Sequence, residues 1–120
     1  MADGMNTVDY IEAGLRASGV WRAVIAGNLA NINTAGYRRR AVEFEQHLAR
    51  ALAAGGGVDE ADTDPQIVQP RDTPVNDKGN DVNLDMEVGE MIRNDVRYKT
   101  LVRVLARRYR AMESAMRTGS

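Results

Sequence analysis

The sequence predicts a mainly α-helical protein in which two long terminal helices pair as an antiparallel, coiled-coil-like hairpin. Apolar residues recur at helical spacing in the first third of the chain and again, in heptads, in the last third. The region between them is acidic, contains all three prolines and has few large apolar residues. We therefore expect a single domain of 120 residues whose core comes from its two ends. A short third helix or arm and an irregular acidic connector would join the two helices.

The N-terminal helix is predicted to run from about Thr7 to Asn33. Thr7 or Asn6 can cap its start, because a short polar side chain accepts a hydrogen bond from the first unpaired backbone N–H groups. Ser18 and Arg22 interrupt an otherwise apolar stripe. The stripe consists of Val8, Ile11, Leu15, Ile25, Leu29 and Ile32. Internal glycines, each costing about 1 kcal/mol relative to alanine, indicate that packing must hold this helix.

An asparagine-rich segment is predicted to end the first helix. Asn31, Asn33 and Gly36 all suit the left-handed backbone conformation that terminates helices. With this exit motif, the N-terminal helical segment covers residues 7–36. The following residues, 37–54, are predicted to form an arm or a short helix, with helical structure over Ala41–Ala54 until consecutive glycines end it.

Residues 55–82 are predicted to form a flexible connector, with one brief extended piece at Gln66–Val68. Residues 55–85 carry eight acidic and two basic side chains, whereas residues 86–120 carry eight basic and four acidic ones. Opposite charge in neighbouring segments favours complementary contacts between segments or subunits, and the alternative is that both faces are solvated.

The C-terminal helix is predicted over residues 83–117, and its apolar positions step by four and three residues. This heptad seam consists of Met91, Asp95, Tyr98, Val102, Leu105, Tyr109, Met112 and Met116. Further apolar residues flank the seam, so the helix has room for more than one neighbour.

Several classes of function are disfavoured by the residues that are present. The chain has no cysteine, and its one histidine, His47, lies outside any HExxH pattern. Four clustered acids, Asp59, Glu60, Asp62 and Asp64, lack the spacing of a calcium-binding loop. We therefore expect no enzymatic activity, no metal site and no cofactor.

Membrane insertion and conventional secretion are also disfavoured. No apolar run approaches the roughly 20 residues that a membrane-spanning helix needs. The N-terminus lacks a basic region followed by an apolar core, so no conventional cleaved signal peptide is expected. Two groups of arginines could contact nucleic-acid phosphates, but no recognition element accompanies them, which favours solvated or interfacial roles. The groups are Arg38–Arg40 and, near the C-terminus, Arg103, Arg107, Arg108 and Arg110.

The segment Asn28–Tyr37, NLANINTAGY, resembles the N-terminal motif of the bacterial flagellar rod and hook family, approximately N-[LI]-A-N-x-x-T-P-G-Y. Ala35 stands where many members have proline. Residues Gly79–Leu84 resemble the segment that opens the family's last helix, and Asn94–Tyr98 resembles its N-x-x-x-Y element. These regions lie toward the two ends of the chain, as the family requires.

Within this family, the short length is similar to that of the proximal rod proteins. Residues Tyr37–Phe44 and Arg97–Val102 look most like the FlgB type, and the FlgC type is the nearest alternative. The resemblance implies a structural subunit that the flagellar type III apparatus exports without a cleaved signal peptide. Such a subunit assembles helically into the basal-body rod within the periplasm and transmits motor torque to the hook and filament.

The resemblance also implies partners. They are copies of the chain itself, other rod proteins of the FlgC and distal rod types, and the export-apparatus adaptor FliE at the rod base. Neither nucleic acid nor membrane insertion is implied. On the residues alone, two other functions remain open: a soluble helical adaptor or chaperone that binds a partner helix, and an arginine-dependent nucleic-acid binder whose affinity would fall with salt.

Two sets of residues are singled out as candidate interface positions. A helix-exit motif is expected to fix the end of the first helix and to contact a neighbour; it consists of Asn28, Leu29, Ala30, Asn31, Thr34, Gly36 and Tyr37. The expected core of the helix pair consists of Ile25, Ile32, Tyr98, Val102, Leu105, Tyr109 and Met112.

Overall fold

The computed structural model describes residues 6–45 and 64–119. In chain order, its elements are helix α1 (Thr7–Ala30), strand β1 (Ala41–Glu43), strand β2 (Gln66–Val68) and helix α2 (Leu84–Thr118). The helices pack against each other in antiparallel directions, and the molecule is elongated, with extents of 67 × 29 × 15 Å. The predicted mainly helical hairpin is thus confirmed.

Helix α1 begins where its capping residues predict. The Asn6 side chain accepts a hydrogen bond from the Asp9 backbone N–H at 2.9 Å, and the Asp9 carboxylate accepts one from the Asn6 N–H at 3.1 Å. This reciprocal capping box pairs two backbone donors that would otherwise lack partners.

The end of α1 comes earlier than predicted, at Ala30 rather than Asn33. The Asn31 side chain donates to the Gly27 carbonyl at 2.9 Å, and its own backbone N–H also donates there. Of the residues expected to adopt the left-handed conformation, only Gly36 does so, with φ of 77°, whereas Asn31 has φ of −105°. The turn therefore spreads over several residues, and only glycine takes the conformation that is costly for other residues.

The start of the predicted arm helix is a strand, which corrects the helical prediction at Ala41. Strand β1 pairs antiparallel with β2 in a register that places Val42 opposite Ile67. Val42 is buried, with 7% of its surface exposed. Pairing with a segment so distant in sequence cannot be recognised from local helical periodicity. The rest of the predicted helix, from residue 46 to 54, lies outside the described residues.

The described part of the predicted connector, residues 64–82, contains β2, which confirms the extended piece predicted at Gln66–Val68. Helix α2 then begins beside its predicted start, because the Asn83 side chain accepts from the Met86 backbone N–H at 2.9 Å. It continues to Thr118, one residue beyond the predicted end. With 35 residues, α2 is about 52 Å long.

The contact between the helices uses small and polar residues of α1. A Cβ atom at Gly14 would lie 3.0 Å from Leu101 Cδ1, so glycine permits the close approach there. Ser18, expected to interrupt the apolar stripe, is buried: its hydroxyl donates to the Asn94 side-chain oxygen at 2.7 Å, and the Asn94 amide donates back to the Ser18 carbonyl at 3.0 Å. In the described ranges, neither helix is both long and apolar enough to span a bilayer.

Candidate assembly site

A buried polar cluster joins the exit of α1 to the start of α2. Its members come from the end of α1, the segment before β1, the turn before α2 and the first turn of α2. We define the polar cluster as Asn28, Tyr37, Arg38, Arg39, Asn80, Asp81 and Glu87.

Glu87 and Asn28 form the centre of the polar cluster, and both have 0% of their surface exposed. The Glu87 carboxylate accepts hydrogen bonds from Arg39 Nε and from the Asn28 side-chain amide, both at 2.9 Å. The same Asn28 amide also donates to the Arg40 carbonyl, while its oxygen accepts from the Arg40 backbone N–H at 2.9 Å and from the Tyr37 hydroxyl at 3.0 Å. Asn28 thus uses both its donors and both its acceptor positions.

A second carboxylate, Asp81, holds the arginine segment from the other side. It is 3% exposed and accepts hydrogen bonds from Arg38 Nε at 3.1 Å and from the Arg39 backbone N–H. These contacts give Arg38 and Arg39 partners within the subunit. Of the two arginine groups considered as phosphate contacts, the first is therefore partly engaged internally, through Arg38 and Arg39, whereas Arg40 is exposed.

Asn80, in the turn before α2, bonds to the backbone just after the end of α1. Its side-chain amide donates to the carbonyls of Asn31 at 2.9 Å and Thr34 at 2.8 Å. These carbonyls follow the last turn of α1, where the helix itself supplies no donors. The turn before α2 thus provides hydrogen-bond donors to the end of α1.

Two glycine turns meet beside Asn80. Gly36 and Gly79 both have positive φ, at 77° and 76°. The Gly36 N–H donates to the Lys78 carbonyl at 2.9 Å, and a Cβ at Gly79 would lie 3.6 Å from Gly36 Cα. A side chain at Gly79 would strain the backbone, because L-residues rarely adopt this conformation.

All buried polar side-chain atoms of the described residues have hydrogen-bond partners. Burial of charged groups is costly unless they are paired and hydrogen-bonded, so a complete network is needed for the cluster to be tolerated. Its directional contacts set the register between the two helices, because a shift of either helix would leave buried charges unpaired.

Most residues of the predicted helix-exit motif lie in or beside the polar cluster. Asn28 is buried, Asn31 and Tyr37 are partly buried, and Thr34 and Gly36 are exposed. Leu29 is partly buried and Ala30 is exposed. The expected contact of this motif with a neighbouring subunit stays a prediction. Glu87, Asp81 and Arg39 were absent from the predicted site, although the resemblance of residues 79–84 to the family pattern pointed to this region.

Only some residues of the predicted helix-pair core are buried in the structure. Ile25 is 2% exposed, and Ile32 and Leu105 are partly buried. The remaining members are exposed on α2, which α1 contacts along a neighbouring seam that includes Glu87, Asn94 and Leu101, seven residues apart. The exposed fractions are 37% for Tyr98, 41% for Val102, 46% for Tyr109 and 51% for Met112.

The exposed residues line one side of α2, where Asp95 and the partly buried Leu105 lie between them. We define the apolar face of α2 as Met91, Tyr98, Val102, Tyr109, Met112 and Met116. Met91 and Met116 extend the surface in both directions, with exposed fractions of 42% and 79%. The seven-residue pattern predicted from sequence is therefore present on the helix and lies beside the seam that α1 covers.

Cationic side chains flank the contact between the helices. Arg22 lies over the Tyr98 ring at 5.4 Å and beside Asp95 at 3.8 Å, on the side of the apolar face. On the other side, Arg97 lies over the Trp21 ring at 5.5 Å and pairs with Glu45 at 2.8 Å. Such exposed contacts are worth about 1 kcal/mol or less each.

Metal-binding side chains do not gather in the part of the chain that the structure describes, where no group of three could hold an ion. His47, Asp59, Glu60 and Asp62 lie outside the described residues. Asp64 is described and exposed.

Comparison with known proteins shows similarity along nearly the whole chain. No family model matches it. The flagellar basal body rod protein FlgB of Bacillus subtilis (strain 168) is 30% identical over an alignment of 122 positions, gaps included, which covers 94% of this chain and 95% of that protein. The flagellar basal body rod protein FlgB of Borreliella burgdorferi is 24% identical over an alignment of 135 positions, which covers 98% of this chain and 100% of that protein. The similarity therefore includes both helices and the region between them.

Proposed function

Since the chain belongs to the FlgB family of flagellar basal body rod proteins, we propose that it is a proximal rod subunit that assembles helically through its terminal helices. The proposed rod lies within the periplasm and transmits motor torque to the hook and filament. This role is structural and includes no catalytic step.

The apolar face of α2 is the observation that carries the proposal. Soluble monomers rarely expose large contiguous apolar patches unless these bind a partner. Here, the exposed side chains repeat along several turns of α2, and α1 packs on the adjacent seam. A helix from a neighbouring subunit would cover the apolar face and remove its side chains from water, which favours association. In this proposal Tyr98, Val102, Tyr109 and Met112 of the apolar face belong to contacts between subunits, together with the partly buried Leu105 that lies between them.

The polar cluster supplies the second property that a torque-bearing subunit needs, a fixed geometry. Its hydrogen bonds connect the end of α1, the segment before β1 and the start of α2. Buried, directional contacts resist sliding of one helix along the other, whereas apolar contacts alone permit alternative registers. We infer that the polar cluster keeps the two helices in one arrangement when neighbouring subunits bind to the apolar face and transmit force through it.

Export and partners complete the proposal. The chain would leave the cytoplasm through the flagellar type III apparatus without a cleaved signal peptide, and it would contact other rod proteins of the FlgC and distal types and the adaptor FliE. Exposed Gly19 within α1 is consistent with a helix whose stability depends on packing, which favours passage of an unfolded chain.

Electron microscopy of isolated basal bodies tests the proposal. A strain that lacks this gene should have no rod, and the wild-type gene should restore it. Complementation with an unrelated soluble helical protein is the negative control. Intact rods in the deletion strain would refute the proposal and would favour a soluble helical adaptor or chaperone, which would use the same apolar face to bind a partner helix.

A further inference from the structure

A buried polar pair lies within the contact between the two helices. Ser18 of α1 is 2% exposed, and Asn94 of α2 is 4% exposed. The Ser18 hydroxyl donates to the Asn94 side-chain oxygen at 2.7 Å, and the Asn94 amide donates to the Ser18 carbonyl at 3.0 Å. We call these two residues the Ser18–Asn94 pair. It is separate from the polar cluster, because Asn94 follows Glu87 by about two turns of α2.

Stability alone does not explain why polar residues occupy these two positions. A hydrogen bond between neutral buried groups adds little net free energy, because both groups are hydrogen-bonded to water in the unfolded chain. Two apolar side chains of similar volume could fill the same space with equal or greater stability. Buried polar residues between helices can instead select one arrangement among several. The Ser18–Asn94 pair therefore fits a role in specificity.

Two neighbouring seams of α2 are available for packing against α1. We call the seam that α1 occupies the covered seam; it includes Glu87, Asn94 and Leu101. The other seam is the apolar face. Tyr98 follows Asn94 by four residues, so their directions from the helix axis differ by only about 40°. Since Arg22 of α1 lies over the Tyr98 ring at 5.4 Å, a modest rotation of α2 would exchange the two seams.

Burial of apolar surface favours the seam that α1 does not occupy. Tyr98, Val102 and Tyr109 are 37%, 41% and 46% exposed, and packing of α1 on them would remove apolar surface from water. The Ser18–Asn94 pair opposes this rotation. On the apolar face the Ser18 hydroxyl would meet apolar side chains and lose its partner, and a buried polar group without a hydrogen bond is unfavourable.

The polar cluster does not by itself fix the rotation of the whole helix. It holds only the start of α2, which extends about 46 Å beyond Glu87. The close approach of Gly14 to Leu101 is a contact with a flexible apolar side chain and contains no directional bond. The Ser18–Asn94 pair supplies buried, directional hydrogen bonds at a second level along α2, and two levels are enough to fix a rotation.

We propose that the Ser18–Asn94 pair directs α1 to the covered seam and thereby keeps the apolar face open for a neighbouring subunit. Both members are positioning residues, because they act by fixing where α1 lies. The inference rests on the proposed function, which assigns the apolar face to contacts between subunits. It adds the reason why this face stays open in the single subunit. Without the pair, α1 competes with the neighbour for the same surface.

The reactivity of an introduced thiol measures how open the apolar face is. The chain has no cysteine, so a single introduced thiol is the only one that reacts with a maleimide. Val102→Cys in the full chain reports on the apolar face. Thr100→Cys is the control, because Thr100 is exposed and lies about 160° around α2 from Val102. The reaction rate of each thiol follows its access to solvent.

Each probe is compared in the natural background and in Ser18→Ala/Asn94→Leu. The double replacement removes the side-chain hydrogen bonds and leaves no unpaired side-chain group, so the helical content and the urea midpoint should stay close to their original values. Val102→Cys should react about twofold more slowly, or slower still, which corresponds to α1 covering the apolar face in at least half of the molecules. Thr100→Cys should react equally fast in both backgrounds.

Two smaller replacements keep the test decisive. Ser18→Thr retains the hydroxyl, and its added methyl group has space because Ser18 lines a cavity of about 280 Å³. Val102→Cys should therefore react at its original rate in this background. Ser18→Ala alone removes one oxygen atom, should keep the helices even if the double variant loses them, and should slow the reaction. An unchanged rate in every folded variant that lacks the hydroxyl would overturn the proposal.

Swimming of the same variants separates this inference from the proposed function. Ser18→Ala/Asn94→Leu should swim poorly, and Ser18→Thr should swim normally. A slower thiol reaction combined with normal swimming of the double variant would overturn the link between the pair and assembly. An unchanged thiol reaction, together with loss of rods in the deletion strain, would overturn this inference and leave the proposed function intact.

Discussion

At one end of the helical hairpin, Glu87 and Asn28 are completely buried and joined by a hydrogen bond of 2.9 Å. Toward the other end, Tyr109 and Met116 are 46% and 79% exposed, and the Tyr109 hydroxyl lies 3.4 Å from the Glu12 carboxylate. The same pair of helices thus has a buried polar network at one end, whereas the last turns of α2 are exposed at the other.

The difference suggests that polar and apolar contacts have different roles in this protein. Polar groups require particular partners at particular distances, so they fix the geometry inside the subunit. Apolar surface is less selective about its partner, so exposed apolar side chains can pack on a neighbour once the geometry is set. In this protein the polar contacts are concentrated in the polar cluster, and much of the apolar surface of α2 stays exposed and available for assembly.

The largest expected effect comes from the apolar face. Val102→Asp should abolish rod assembly and swimming, because it places a charge in the proposed contact between subunits, and Leu105→Asp should do the same. The exposed Thr100 provides the control, and Thr100→Asp should swim normally. Because Val102 is 41% exposed, its replacement should change the free energy of unfolding of the monomer by only about 0.5 kcal/mol. Normal swimming of Val102→Asp would contradict the assigned surface.

The polar cluster should show the largest effect on monomer stability. Glu87→Ala leaves the buried Arg39 guanidinium unpaired and should lower the free energy of unfolding by about 3–5 kcal/mol. The comparison is Glu90→Ala, which removes a pair with Arg93 near the surface and should cost less than about 1 kcal/mol. Urea denaturation of both variants measures the difference. Similar losses of unfolding free energy in Glu87→Ala and Glu90→Ala would show that the polar cluster does not dominate stability.

Replacing a glycine with alanine should lower the stability of the protein in the turn before α2 and raise it within α1. Gly79→Ala forces a side chain into a positive-φ turn and should destabilise the protein by about 1–2 kcal/mol. Gly19→Ala places a methyl group in open space on α1 and should stabilise it by about 0.5–1 kcal/mol. Thermal denaturation followed by circular dichroism should show a lower midpoint for the first variant and a higher one for the second. Midpoints that move in the same direction would refute this distinction.

The smallest expected difference compares two tyrosine hydroxyls. Tyr37→Phe removes a donor from the buried Asn28 oxygen and should cost about 1 kcal/mol. Tyr109→Phe removes a long, exposed contact with Glu12 and should change the free energy of unfolding by less than about 0.5 kcal/mol. Paired urea titrations can resolve this difference. A greater loss for Tyr109→Phe would reverse the proposed ranking of the two ends.

Local sequence determined the helical elements of this protein. Asn6 and Asn83 cap the two helices because their short side chains reach the first free N–H groups, a property that depends only on neighbouring residues. The heptads likewise predicted the length of α2 and an apolar surface on it. Gly36 marked the turn after α1, because glycine tolerates positive φ.

Tertiary structure alone decided which surfaces meet. Two neighbouring seams of α2 repeat every seven residues, and spacing cannot say which one α1 covers; Gly14 and Ser18 decide it by fitting against Leu101 and Asn94. The polar cluster joins Asn28 to Glu87 across 59 residues of sequence. Periodicity encodes how a segment folds locally, whereas a choice among distant partners depends on how charge, volume and hydrogen bonds fit once the chain has turned back on itself.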